Sequence, residues 1–439
     1  WQGKGVDRNC IVNVKIPFSL SPRLKVDITT RSGATDQMGI DSQLSGIMVF
    51  VYENKGDATG AAEQRLVYKL FGAPGQEIEG ANAEFTPDPN DPTLGHFNLH
   101  VPAGDVYIYL VGNARNSFVK DVFEEIKQSG EDKLKTREGF LKWVVPEWTG
   151  NMDLVAGYLP MAGKVNNTTG ACTIVLDSNS TNGNEGYIQY YKEGDATTPI
   201  IIGENGQPFS EDNAFVLSRL MAKVSMQFVN GNPSVTFTPH TYKFYHCSTV
   251  IPPIAGFRDS PSGDKVQDTE RVPFDVQTPD RFTVYLPENV REYQPAENGK
   301  QFLEFKDRDK VVKDNDGKNQ NEPDHADHYE FQYAPKNSTY VEITGRVENT
   351  DKDRSANVRY LIHLGDFSAK DPQNPAPDRF NDFNLLRDHH YNYTVTVNGA
   401  EDIHVEVGNN NDADPDNNSD ERNPAVEGVI FEGGARVRL

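Results

Sequence analysis

Cysteine is scarce in this sequence, whose 439 residues include three, at Cys10, Cys172 and Cys247. Three thiols are too few for a disulfide framework, and their wide spacing fits no zinc-binding pattern. Long apolar runs are absent as well, since no stretch approaches the roughly 20 residues that span a bilayer. We therefore predict no disulfide-defined fold and no transmembrane segment in this sequence.

Positive charge is also in short supply. Lysine and arginine number 43 against 65 aspartates and glutamates, which gives a formal net charge of −22 at pH 7. Nucleic acids and anionic membranes bind to basic surfaces, because cationic side chains replace their counterions. The charge balance therefore argues against a nucleic-acid partner.

Catalytic and cofactor-binding motifs are missing too. The sequence has no Gly-x-Ser-x-Gly elbow, no phosphate-binding glycine-rich loop and no His-Glu-x-x-His motif. The tract at 409–423 has aspartates at the odd spacing of a calcium loop, but Asn417 and Asn423 stand where such a loop needs Gly and Glu. His325 and His328 lie in a stretch that favours a flexible loop over a metal-binding helix. We predict a protein that is not an enzyme, with no cofactor and no metal; calcium in the acidic tract is the less favoured alternative.

The sequence instead carries many short alternating segments separated by turn residues. It has 36 glycines and 27 prolines, while 23 phenylalanines and 18 tyrosines can supply hydrophobic cores. Period-two alternation predicts strands, which fall at 46–52, 65–71, 96–101, 106–113, 223–228, 234–237, 242–246, 281–286, 340–347, 358–364, 391–397 and 403–407. The fold class predicted is all-β.

A few short helices accompany these strands. The spacing of apolar residues predicts helices over 117–126 and 136–144. A third is predicted after Asn213 as its cap, with Phe215, Leu217 and Leu220 in it, and we place a domain boundary there.

The first strong alternation of apolar residues with other residues runs from Cys10 to Leu20. Its apolar residues fall on one face of a strand and are Cys10, Val12, Val14, Ile16, Phe18 and Leu20. Because Pro17 has no N–H for a sheet ladder, we expect this strand to lie at a sheet edge or to bend there.

Several segments, taken in order, resemble Bacteroidales fimbrillins over most of residues 40–408. They are Leu-Pro-Met-Ala-Gly at 159–163, Leu-Ser-Arg-Leu-Met-Ala-Lys-Val at 217–224, Tyr-Leu-Pro-Glu-Asn at 285–289, Tyr-Leu-Ile-His-Leu-Gly-Asp at 360–366, and 382–391 with the hairpin that follows it through Val407. The resemblance implies two transthyretin-like β-sandwich domains in tandem, in a structural subunit of a type V fimbria. It also implies an exported lipoprotein precursor, cleaved after its first strand by an arginine-specific protease at the outer membrane. A strand of a neighbouring fimbrial subunit would then fill the vacated groove by β-strand addition.

On this basis the expected organisation has four parts. Residues 1–31 form a first strand and removable propeptide, 32–212 the first sandwich, 213–408 the second sandwich with a solvated acidic insertion at 306–328, and 409–439 an acidic tether with a last strand. Arg31, in a glycine-containing loop, is the preferred cleavage site and Arg23 the alternative. An intact edge strand in the first sandwich is an equally weighted interpretation of the first strand. Candidate donor-strand residues are Val429, Phe431, Val437 and Leu439.

The insertion and the tail fit a tip or accessory fimbrillin with an adhesin role as well as a stalk subunit. Such a protein would lie at the cell surface and could bind a host or bacterial surface ligand. The rival hypothesis is a surface glycan-binding β-sandwich protein, with Trp143 and Trp148 as stacking platforms. Such aromatic residues are more often caps of a sandwich core.

Overall fold

The structure of the chain is a computed structural model. The described residues are 5–21, 44–56, 62–75, 81, 83–91, 93–113, 133–142, 159–181, 183–203, 210–249, 251–254, 266–291, 308–311, 329, 331–367, 382–409 and 429–431. The chain divides into two compact units, with the change from the first to the second between Leu220 and Met221. Residues 251–254 belong to the first unit.

Strands make up nearly all of the regular structure, so the prediction of an all-β protein is confirmed. The described residues contain a six-residue helix, α1 (Arg137–Lys142), inside the predicted span 136–144, and a 3-10 helix (Glu211–Asn213). The helix predicted over 117–126 lies outside the described residues. None of the described helices has the length and apolar character that crossing a membrane requires.

The first unit contains eleven described strands. They are β1 (Asp7–Leu20), β2 (Gly46–Glu53), β3 (Arg65–Gly72), β4 (Ala83–Glu84), β5 (Thr86–Pro87), β6 (Leu94–Gly112), β7 (Met161–Lys164), β8 (Ala171–Leu176), β9 (Glu185–Tyr190), β10 (Ile200–Ile202) and β11 (Phe215–Arg219). Eight of them follow the order β9-β1-β11-β7-β6-β2-β3-β4, with β10 beyond β9, while β5 and β8 pair with β6.

Strand β6 links the parts of this sheet. Its first half pairs with β1 and its second half with β2, while β8 and β7 pair with its central and last residues. Two separate strands were predicted here, at 96–101 and 106–113, but Gly104 with φ +124° lets one strand continue between them.

Strand β11 contradicts the predicted third helix. Phe215, Leu217 and Arg219 are buried, while Val216 and Ser218 between them are partly exposed, which is the period of a strand. Ser210 and Asn213 do form a capping box, but the helix it caps ends at Asn213. Ser210 is therefore the N-cap, whereas the prediction named Asn213, and sheet pairing with β1 and β7 determines the conformation of the residues that follow.

The second unit contains the other eleven described strands. They are β12 (Met221–Asn230), β13 (Val235–Tyr245), β14 (Cys247–Ser248), β15 (Val266–Gln267), β16 (Val272–Pro273), β17 (Arg281–Pro287), β18 (Tyr340–Asn349), β19 (Arg354–His363), β20 (His390–Gly399), β21 (Asp402–Asn409) and β22 (Val429–Phe431). One sheet has the order β17-β12-β20-β21 and another β16-β13-β18-β19-β22, and β14 pairs with β15.

Aromatic side chains join the two larger sheets of the second unit. Phe228 on β12 lies 5.2 Å from Phe237 on β13, and Phe282 on β17 stacks on Tyr242 of β13 at 4.2 Å between ring centroids. Faces of two sheets packed in this way form a β-sandwich, although β12 and β20 within the first sheet run parallel.

Candidate functional site

Strand β1, the first described strand of the chain, is paired along both of its edges. On one edge it runs antiparallel to β6, from Ile11 to Ser19. On the other edge it runs parallel to β9 at Asn13 and Val14, and parallel to β11 from Phe18 to Leu20. The three partners form a groove around β1, which is called the β1 groove below.

Pro17 does not place β1 at a sheet edge, so the first of the two alternatives expected for this strand is wrong. The odd-numbered residues Asn13 and Ser21 donate their N–H groups away from β6, to the carbonyl oxygens of Asn184 (2.8 Å) and Leu217 (2.9 Å). An N–H at Pro17 would point to the same side, where pairing with β9 has ended and pairing with β11 has not begun. The missing donor therefore falls in a gap between two partner strands, where the sheet needs no hydrogen bond.

The inward face of β1 is part of the hydrophobic core of the first unit. Five side chains form this inward row, and all are at most 3% exposed: Val12, Val14, Ile16, Phe18 and Leu20. Cys10 is partly buried and packs against the same core. Complete burial of such a side chain stabilises a protein by roughly 1.5–3 kcal/mol. The first unit thus depends on β1 for a whole row of its core.

Two glycines shape the walls of the groove where the inward row meets them. A Cβ at Gly186 on β9 would lie 2.3 Å from Cγ1 of Val12, and a Cβ at Gly95 on β6 would lie 2.4 Å from Cζ of Phe18. Both distances are far shorter than a van der Waals contact, so side chains at these two positions would occupy the space that Val12 and Phe18 fill.

Phe18 occupies an aromatic pocket. Its ring meets Phe85 edge to face, with centroids 5.2 Å apart, and lies 6.3 Å from Phe97 at an interplanar angle of 29°. Phe97 in turn stacks on Phe71 at 4.3 Å. Two rings therefore contact Phe18 directly, and Phe71 extends the cluster behind Phe97.

Polar contacts fix the outer face of β1. The Asn13 amide donates to both carboxylate oxygens of Glu185 at 3.2 and 3.3 Å. Near the strand's start, the Arg8 guanidinium pairs with the Glu53 carboxylate on β2. Lys15 on β1 is exposed and near His96.

These charges shift two titratable groups next to β1. Burial alone would raise the pKa of Glu53, but hydrogen bonds and charges from Arg8 and Lys55 outweigh burial and hold that pKa below its ordinary value. Partial burial and the Lys15 ammonium lower the pKa of His96. Both groups therefore keep their ordinary neutral-pH forms, a charged carboxylate and an uncharged imidazole.

Most of the other predicted site residues lie outside the described part of the chain: Arg23, Arg31, Trp143, Trp148, Val437 and Leu439. Val429 and Phe431 fall in β22, which pairs antiparallel with β19 at the edge of a sheet of the second unit. The described part of the predicted donor segment, residues 429–431, thus pairs with a strand of its own chain. Among the described residues, no group of three or more His, Cys, Asp or Glu side chains could hold a metal ion.

Sequence reasoning missed the residues that form the walls of the groove, above all Gly95 and Gly186. One signal was available, because a glycine inside a strand often marks a close approach of backbone or side chain. That signal does not say which side chain approaches, and the pairing of β1 with β6 and β9 was not predicted.

A family model described as a domain of unknown function, DUF4906, matches residues 284–395, less than half of the chain. No curated protein matches the sequence.

Several solved structures are similar along the length of the chain. The tip fimbrial protein Mfa3 from Porphyromonas gingivalis, with a C-terminal truncation, has a TM-score of 0.45 and 12% identity over 91% of this chain and 99% of its own. A candidate cell adhesion protein from Parabacteroides distasonis has a TM-score of 0.45 and 13% identity, covering 94% of this chain and 98% of its own. A fimbrial assembly protein from the same species has a TM-score of 0.37 and 10% identity, covering 94% of this chain and 99% of its own.

Proposed function

We propose that this protein is a non-enzymatic structural subunit of a type V fimbria on the bacterial outer surface, assembled by donor-strand exchange. In this proposal a protease cuts the chain after β1, β1 leaves, and a strand of another fimbrial subunit takes its place. The observation that carries the proposal is the position of β1. It is the first described strand, and it is held between partners that all come from later in the chain.

Removal of β1 would leave a groove suited to another strand. The inward row would vacate an apolar channel, and β6, β9 and β11 would present backbone groups that now pair with β1. Unpaired backbone groups beside an apolar channel favour the addition of an extended segment, because it restores both the ladder and the core.

The cleavage site belongs to the segment that follows β1. Residues 22–43 contain two arginines before the start of β2, and we propose Arg31 as the site, with Arg23 as the alternative. One cut there would separate β1 from the remainder of the chain without breaking any described strand.

Position and partners within the fimbria are also part of the proposal. We assign the protein to the tip or to an accessory position, exported through the outer membrane as a lipoprotein precursor, with adhesion to a host or bacterial surface ligand as a role. The acidic insertion at 306–328 and the tail at 409–439 support this assignment, since they exceed what a simple stalk subunit needs.

Digestion with an arginine-specific protease, followed by mass spectrometry and electron microscopy, tests the proposal. We expect a cut at Arg31 or Arg23, loss of the fragment that carries β1, and ladders of oligomers on denaturant-free gels. The Arg23→Ala/Arg31→Ala variant is the matched control and should stay uncut in this segment and monomeric. A cut wild-type chain that keeps β1 and remains monomeric, even when subunits are concentrated, would contradict strand exchange.

A further inference from the structure

The inward row of β1 does not meet uniform walls. Val12 lies against bare backbone at Gly186 on β9, and Phe18 lies against bare backbone at Gly95 on β6. The side chains nearest to each of these two glycines thus include one of the inward row. The two glycines stand on opposite walls of the groove, because β9 and β6 pair with opposite edges of β1.

The two positions differ in the shape they accept. At Gly186 an added Cβ would also meet the carbonyl oxygen of Val175 at 2.3 Å, so this notch is narrow and is filled by one methyl group of Val12. At Gly95 the space extends into the aromatic pocket of Phe85 and Phe97, and a flat ring fills it. A ring does not fit the first notch, and an aliphatic side chain leaves a cavity in the second.

The spacing between the notches also sets a register. Val12 and Phe18 are six residues apart, which is about 20 Å along a strand. A slip by two residues keeps the apolar face inward but moves the ring from Gly95 to a position without a notch. Alternation alone would allow such a slip, whereas the two notches oppose it.

We propose that the β1 groove selects its occupant by these notches, and this inference rests on the function proposed above. The partner is an extended strand of another subunit that carries a β-branched aliphatic residue at the Val12 site and an aromatic residue at the Phe18 site. Gly186 and Gly95 determine the selectivity, while the Val14, Ile16 and Leu20 sites accept aliphatic residues in general.

Peptide competition on the full chain tests the selectivity. A recognition sequence for a site-specific protease is inserted between residues 31 and 32, so that β1 can be cut free and remain bound. The probes are fluorescent peptides of the β1 sequence 7–20, each with Cys10→Ser. The first peptide has the native inward row. The second exchanges the two residues that face the notches (Val12→Phe/Phe18→Val). The third is the matched control and exchanges two residues that face no notch (Val14→Ile/Ile16→Val).

We expect the native and control peptides to displace β1 at concentrations within about tenfold of each other, because the control conserves total volume at sites without a notch. The notch-exchanged peptide should need at least about fiftyfold more, since it combines an overpacked site with a cavity. Equal displacement by all three peptides would overturn the selectivity and leave strand exchange standing. Failure of every peptide, including the native one, would remove the proposed function and this inference together.

A change in the groove supplies an independent measurement. In Gly95→Ala the new methyl group takes the space of the end of the Phe18 ring, so a Phe18→Leu peptide should displace β1 better than the native peptide does. An unchanged preference for phenylalanine would argue against Gly95 as the determinant. If this variant does not fold, the comparison of peptides in the wild-type groove decides alone.

Discussion

Phe18 joins β1 to an aromatic cluster in the core of the first unit. It contacts Phe85 and Phe97 and is 3% exposed. We expect Phe18→Ala to destabilise the first unit by about 3–5 kcal/mol, the usual cost of removing a buried phenylalanine ring. Urea dependence of hydrogen exchange in β6 measures this loss.

Ile11 provides the matched control, since it lies on the same strand but is 41% exposed. Ile11→Ala should change the stability by less than about 0.5 kcal/mol, as surface substitutions usually do. Similar losses for the two variants would mean that β1 is not held by its inward row.

Glu53 makes the attachment of β1 depend on pH. Its pKa is lower in the folded chain than in the unfolded chain, mainly because pairing with Arg8 and Lys55 outweighs burial. A carboxyl with a lowered folded pKa stabilises the fold above its unfolded pKa, and that contribution is lost as the pH falls through the folded pKa.

We therefore expect Glu53→Gln to destabilise the first unit at pH 7, by less than about 1 kcal/mol because Arg8 is largely exposed. The difference in free energy of unfolding between variant and wild type should begin to shrink near pH 4, where an ordinary glutamate is protonated, and should close as the pH falls through the lower folded pKa of Glu53. Denaturant unfolding across this range checks the prediction. If the difference in free energy of unfolding stays constant down to about pH 2, the ion pair of Glu53 with Arg8 does not contribute to the stability of the first unit.

At the scale of elements, alternation predicted strands well but did not predict their partners. Strands β2, β3, β12, β17, β18, β20 and β21 lie close to the predicted ranges, because their apolar residues recur with a period of two. The helix predicted at Phe215, Leu217 and Leu220 failed, since a short apolar run satisfies both periods. Tertiary pairing with β1 and β7 decides in favour of a strand.

Strand β1 shows why the site was only half predictable. Its inward row could be read from the sequence, because Val12, Ile16 and their neighbours alternate. Its place between β6, β9 and β11 could not, since long-range pairing leaves no local pattern. Pro17 suggested a sheet edge, because it has no N–H to donate to a neighbouring strand. The sequence does not show that this position falls in the gap between β9 and β11, where no donor is needed.

Strand β22 is a small addition to the edge of β19. It pairs Val429 with Tyr360 and Phe431 with Val358. Deletion of residues 410–439 should leave the second unit folded, but amides in β19 that face β22 should exchange with deuterium at least about tenfold faster, because backbone hydrogen bonds are lost.

Mass spectrometry of exchanged peptides measures this change. Peptides from β18, which is paired on both edges within the same sheet, serve as the internal control and should not change. Unaltered exchange in β19 after the deletion would contradict the pairing with β22.

At the scale of the whole molecule, the net charge of −22 determines the long-range repulsion between copies of the chain. Like charge repels at low ionic strength, and salt screens it over about 8 Å at 0.15 M. We expect light scattering at pH 7 to give a positive second virial coefficient that falls as NaCl is added.

The same coefficient should reach its minimum near pH 4.9, the isoelectric point calculated from the sequence. A coefficient that is independent of salt at pH 7 would indicate that short-range contacts, and not the net charge, govern encounters between copies.

The antiparallel overlap of β1 with β6 extends without interruption from Ile11 to Ser19. A strand held in this way is pulled along its own axis when tension acts on its ends, so the hydrogen bonds of the overlap carry the load together in shear. Tension across the strand would instead break them one after another. In a fibre joined through this groove, the force needed to separate two subunits would rise with the number of residues that overlap, since their hydrogen bonds are loaded together. Its lifetime under load would follow from the rate of unfolding rather than from the equilibrium affinity of the strand.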